Sequence, residues 1–171
     1  TGKSAIYFSP TTIGEGGIFH HITFGENYNY VTVTCNFYGY SALLVSGILF
    51  TGTTAPTVGF LSQSLNGYPA YLILQDMACS LPFYVPDFLL VTGNALALLN
   101  NITATSLAGG NFARLNNGAS ITVTQASLGQ FDKTIEFENV GAPGNMLLVG
   151  VSFTSMVHHL LISHPGTTGA F

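Results

Sequence analysis

Charge is what this chain has least of. Three Lys and Arg and seven Asp and Glu make up 6% of its 171 residues, where soluble domains carry roughly 25%. Three cations cannot assemble the basic footprint that a nucleic acid demands, so nucleic acid is excluded as a partner. Tryptophan is absent, which removes the usual platform of a dedicated sugar-binding module. Two cysteines, Cys35 and Cys79, are too few for a disulfide framework. They pair with each other or remain as two small buried hydrophobes. No apolar run reaches the ~18 to 20 residues that cross a bilayer as a helix, so no membrane insertion is expected. No Met-led signal peptide stands at the start.

What is present is apolar. Hydrophobic residues account for 47% of the chain and the mean hydropathy is +0.45, which excludes a disordered chain. A folded surface with so few ionised groups is poorly protected against association. The expectation is a homo-oligomer whose interface hides much of that surface.

Twenty Gly and seven Pro break nearly every window in which a helix would propagate. β-Branched and aromatic residues fill the intervals. The pattern predicts strands at 5–8, 18–24, 28–38, 42–50, 57–62, 70–75, 88–91, 112–115, 120–125, 134–138 and 146–163, the last long enough to bend or split. Ile121 and Val123 alternate with Thr122 and Thr124, the mark of a strand with one face buried. Leu43, Leu44 and Val45 are apolar on both faces. One segment, 94–107, reads equally as a helix or as a strand with a loop. Tight-turn pairs occur at Asn66-Gly67, Gly109-Gly110 and Asn117-Gly118. No internal repeat is evident. The expected fold is all-β, an antiparallel β-sandwich or jelly roll forming a single domain over 1–171, with residues 1–4 as the end of a stalk.

Three segments carry a resemblance. The run from Tyr40 through Leu43, Leu44 and Val45 to Gly52, the run from Gly109 and Gly110 through Phe112 and Leu115 to Gly118, and the run Leu147-Leu148-Val149-Gly150-Val151 are similar, in order and rough spacing, to central and closing strands of the tumour necrosis factor and C1q-like jelly rolls. The resemblance implies a compact trimer with an aromatic and aliphatic threefold interface, an arrangement shared by virus and phage fibre heads.

Chemistry-bearing constellations are sparse. Gly2-Lys3-Ser4 ends like a phosphate-binding loop but lacks the preceding strand and glycines. His158 and His164 share strand parity yet would sit about 20 Å apart in one strand, and Glu136 and Glu138 share one strand face with Ile135 and Phe137 on the other. These four are the metal candidates, for zinc and calcium respectively, and no cofactor is expected. Asp132, Glu136 and Glu138 form the sole acidic cluster and read best as a solvated edge that discourages strand pairing. No G-x-S-x-G motif is present and nothing in the sequence assembles a carboxylate pair, so no enzymatic activity is expected. Tyr68, Tyr71 and Tyr84 lie near loops and are the binding candidates, because Tyr brings contact area and a hydroxyl at low entropic cost. The function these features imply is attachment: a receptor-binding head of a viral or phage fibre or spike, on a virion surface or otherwise extracellular, that grips a host-surface protein or glycan through three avid sites. A structural coat protein and a secreted ligand like tumour necrosis factor are the alternatives.

Overall fold

The computed structural model describes residues 4–8, 16–24, 29–35, 41–50, 58–64, 69–138, 144–154, 158–162 and 168–170. Along the chain run β1 (Ser4–Phe8), β2 (Gly16–His20), β3 (Thr23–Phe24), β4 (Asn29–Cys35) and β5 (Ser41–Phe50). Next come β6 (Val58–Ser64), β7 (Ala70–Leu81), β8 (Val85–Thr92), β9 (Ala95–Ser106) and β10 (Gly110–Asn116). The series closes with β11 (Ser120–Gly129), β12 (Lys133–Glu138), β13 (Asn145–Thr154), β14 (His158–Ile162) and β15 (Thr168–Ala170). No helix occurs among the described residues, and 94–107 is strand β9.

Strands alternate between two sheets. Sheet A holds β1, β4, β6, β8, β10, β12 and β14 in that order, and sheet B holds β2, β5, β7, β9, β11, β13 and β15, with β3 extending β2 alongside β5. Every pairing is parallel. The chain is therefore a β-solenoid, each coil laying one strand in A and one in B. This corrects the antiparallel sandwich and jelly roll expected from the strand pattern. Alternation reports that one face of a strand is buried but is silent on the direction of its neighbour. The turns that resemble hairpins join strands of different sheets. Asn117 and Gly118 both take positive φ, 55° and 83°, and the amide of Ala119 donates to the Asn116 carbonyl at 3.3 Å, yet the chain passes there from A to B.

A repeat does exist, contrary to the sequence reading. Ala70 pairs with Ala95 and Ser120 with Asn145, but Ser41 pairs with Ala70 and Asn111 with Lys133. Offsets that range from 22 to 29 residues leave no fixed period to detect.

Stacking in register turns each inward position into a row. Leu43, Leu72, Ala97, Ile121 and Met146 form one row of sheet B, and Val45, Leu74, Leu99, Val123 and Leu148 the next. Sheet A contributes Phe60, Leu89, Ala113 and Ile135. An aromatic column adds rigidity, with Phe60 to Phe88 at 5.3 Å, Phe88 to Phe112 at 5.8 Å and Phe112 to Phe131 at 5.4 Å between ring centroids. Each such contact adds about 0.5–1.5 kcal/mol to the burial itself.

Cys79 lies in this interior as a free thiol, so the Cys35–Cys79 bridge is not formed. Burial pushes its pKa up to about 12. A thiol held neutral in the folded state but ionising near 9 when unfolded destabilises the fold as pH rises from about 9 towards 12. Two outcomes are expected. Cys79 stays inert to thiol reagents at pH 8 until denaturant opens the coil, which mass spectrometry of the labelled peptide reads directly. Phe112→Ala, which empties the centre of the aromatic column, lowers unfolding free energy by about 3–5 kcal/mol in urea titration.

Candidate functional site

Two surface features stand apart from the core. The first lies on the outer face of sheet A and arises from a local break in alternation. In β10 the burial order is Asn111 half-buried, Phe112 and Ala113 buried, Arg114 half-buried. In β12 Thr134 and Ile135 are likewise buried in succession between Lys133 and Glu136. In a regular strand, residues three apart face opposite ways. The doubled inward step returns i and i+3 to one face, and the rows Asp87, Asn111, Lys133 and Leu90, Arg114, Glu136 meet on the outside.

The result is a cross-coil network. Arg114 Nη2 donates to Asp87 Oδ2 at 2.5 Å and Nη1 to Glu138 Oε2 at 3.4 Å. Lys133 Nζ donates to Glu136 Oε1 at 2.6 Å. Asn111 Nδ2 bridges Asp87 Oδ1 and Glu136 Oε2 at 3.1 Å each. Two cations and three carboxylates gather here from β8, β10 and β12. The side chains of Asp87 and Glu136 are only 4% and 9% exposed. Two 3.1 Å bonds from one nitrogen hold those carboxylate oxygens within about 6.2 Å of each other, a separation familiar from glycoside chemistry. The pairing argues against that use. Each carboxylate faces a cation, and Asn111 donates to both, so the groups brace one another instead of opening to a substrate. The network is a clamp that fixes three coils in register.

Glu136 and Glu138 do lie opposite Ile135 and Phe137, but β12 is paired on both sides and Glu136 is buried in an ion pair, which replaces the expected solvated edge. Among the described residues no group of three His, Cys, Asp or Glu is placed to hold a metal. His158 opens β14, beside Lys133, and His164 lies outside the described residues.

The second feature runs along sheet B. His21, Gly47, Asp76, Asn101, Gln125 and Gly150 all have φ between 53° and 63°, one per coil. The strand register steps over each of those on β5, β7, β9, β11 and β13. A left-handed residue inserted in a strand bends it. Gly carries this conformation freely, and Asn and Asp tolerate it, which accounts for four of the six. Sheet B is thereby folded along a line parallel to the solenoid axis.

Along that bend the side chains are polar and exposed. Asn101 Nδ2 donates to Asp76 Oδ1 at 2.7 Å, Gln75 Nε2 to Asp76 Oδ2 at 3.2 Å, and Thr124 Oγ1 to Asn100 Oδ1 at 3.1 Å. His20 Nδ1 is hydrogen-bonded to Ser46 Oγ. Beyond the bend two rows of small, mostly hydroxyl-bearing residues continue, Ala78, Thr103, Ser127 and Ser152, then Ser80, Thr105, Gly129 and Thr154. A Cβ at Gly129 would stand 2.8 Å from Thr154 Oγ1, so a larger residue there obliges Thr154 to turn.

The tyrosine candidates are not brought together. Tyr71 is half-buried near the start of β7, Tyr84 lies 53% exposed in the turn past its end, and Tyr68 falls outside the described residues. The bend column escaped sequence reading because Asp76, Asn101 and Gln125 share no residue type. Its one signal was a small or amide side chain interrupting alternation once per coil.

Comparison with family models, curated proteins and solved structures yields no match, and neither the comparisons nor the fold supports a viral assignment.

Arg114→Ala strands a buried carboxylate and is expected to cost about 3 kcal/mol. Asp76→Asn, which keeps a side chain that tolerates the left-handed backbone of the exposed bend, stays within about 1 kcal/mol. Urea unfolding of the two variants side by side provides the measurement, and equal effects would remove the clamp from the account.

Proposed function

We propose that the chain is a non-enzymatic attachment module, a β-solenoid that binds a neutral surface glycan along the bend of sheet B. One observation carries the reading: the exposed column of Asp76, Asn101 and Gln125, flanked by Gln75, Asn100 and Thr124, with amides and hydroxyls repeated from coil to coil. Sugars present hydroxyls that both donate and accept, and uncharged amides meet them without the desolvation that an ion carries. Several of these side chains are already tied to one another, so less freedom is lost when a ligand docks. The Ser and Thr rows beyond the bend extend the same chemistry sideways.

A repeating ligand suits a repeating site. Coils recur about 4.8 Å apart, so a polymer lying along the axis meets equivalent groups at successive coils. Individually weak contacts then add through effective concentration.

Binding to immobilised neutral polysaccharides is expected to persist when salt is raised from low to molar, because few charges take part. The double substitution Asn101→Gly with Gln125→Gly, which keeps the left-handed backbone free of strain, should weaken it at least tenfold, the loss of about two hydrogen bonds, with circular dichroism unchanged. A panel on which no neutral glycan binds, or binding that salt abolishes, overturns the proposal.

A further inference from the structure

On the near side of the bend, sheet B shows a different surface. The outward row Ile18, Leu44, Ile73, Leu98, Thr122 and Leu147 crosses six strands. The row Ala42, Tyr71 and Leu96 runs beside it. Ile18 is 66% exposed and Leu147 43% at its two ends, and Leu44, Ile73, Leu98 and Thr122 between them are half-buried. No Asp, Glu, Lys or Arg occupies these rows.

We infer that this stripe is where a second copy of the chain docks. Three considerations select that occupant. A partner must be as free of charge as the stripe, because a charged group placed there would be desolvated without a counter-ion, and this chain is depleted in charge throughout. The stripe is a straight lattice set by the strand spacing of about 4.8 Å, and a second copy offers side chains at the same interval, so ridges meet grooves along the whole length. The area also suffices. The near face of sheet B, six strands by about five residues from the Tyr71 row to the Gln75 row, spans roughly 29 by 17 Å, close to 500 Å² per copy and about 1,000 Å² for a pair, the level at which a specific interface begins, with the apolar rows inside a polar rim that includes Gln75, Asn100 and Thr124.

The stripe adjoins the row Gln75, Asn100 and Thr124 that flanks the glycan column, but it stands on different side chains, and the two readings fail separately in the measurements that follow. Sedimentation analysis of the full chain is expected to give two or three times the 18.0 kDa chain mass. Ile73→Glu with Leu98→Glu should return it to 18.0 kDa, while Thr103→Glu with Ser127→Glu, beyond the bend, leaves it assembled. Should the stripe variant fail to fold, Leu98→Cys provides a second route: mild oxidation yields a cross-linked dimer, and Thr103→Cys does not. A wild-type chain that sediments at 18.0 kDa up to millimolar concentration, or one that instead takes up detergent as a monomer, overturns the inference while leaving glycan binding untouched. Loss of assembly by the Thr103 and Ser127 variant alone places the interface elsewhere and overturns it as well.

Discussion

In-register stacking obliges each residue to tolerate its own counterpart about 4.8 Å above and below. That constraint decides where chemistry of each kind can go. Apolar rows satisfy it by packing, as Leu72, Ala97 and Ile121 do, with a small Ala set between larger neighbours. Charged rows do not satisfy it, because like charges at that distance repel. A long parallel solenoid of this regularity therefore favours few charges, and the composition reflects the architecture as much as any partner.

Where charge is admitted, the stacking dictates its arrangement. The clamp on sheet A keeps its carboxylates on β8 and β12, with the donors of β10 between them. Asn111 separates Asp87 from Glu136, and Arg114 separates Asp87 from Glu138. Five of the seven charged residues among those described gather there. A buried ion pair contributes little net stability compared with a hydrophobic substitute. What it supplies is discrimination: a slip of one residue between β10 and β12 would bring Arg114 out of line with Glu138 and Asn111 out of line with Glu136. Coils of 22 to 29 residues offer many near-equivalent registers, and a clamp of this kind separates them.

The sequence made the β content and most strand positions legible, because one-sided burial leaves its period in Ile121 and Val123 against Thr122 and Thr124. It concealed the direction of pairing, which depends on where a turn delivers the chain and not on the strand. Asn117-Gly118 has the residues of a hairpin turn and makes the matching hydrogen bond, yet connects two sheets. The ionic clamp was hidden by strict alternation, which puts Lys133 and Glu136 on opposite faces. The doubled inward step at Thr134 and Ile135 reverses that assignment. The apolar character of both faces at Leu43, Leu44 and Val45 was readable, and the structure assigns Leu43 and Val45 to the core and Leu44 to the outward stripe.

The left-handed column joins these threads. Without it, sheet B would present one continuous outer face, and an apolar row and an amide row would have to share every contact. Bending the sheet at Gly47, Asp76, Asn101, Gln125 and Gly150 divides that face into two, one with an apolar stripe bordered by Gln75, Asn100 and Thr124 and one of small hydroxyl-bearing residues. Side chains at the bend project into solvent, where amides keep their hydration and stay reachable. Each left-handed non-glycine residue costs roughly 1–2 kcal/mol, and here it recurs from coil to coil. A sheet that only needed to close around its core had glycine available at every one of those positions. Asp76 and Asn101 tolerate that conformation while Gln125 bears its cost, and each holds outward, at the interval of the coils, a hydrogen-bonding group that glycine would lack.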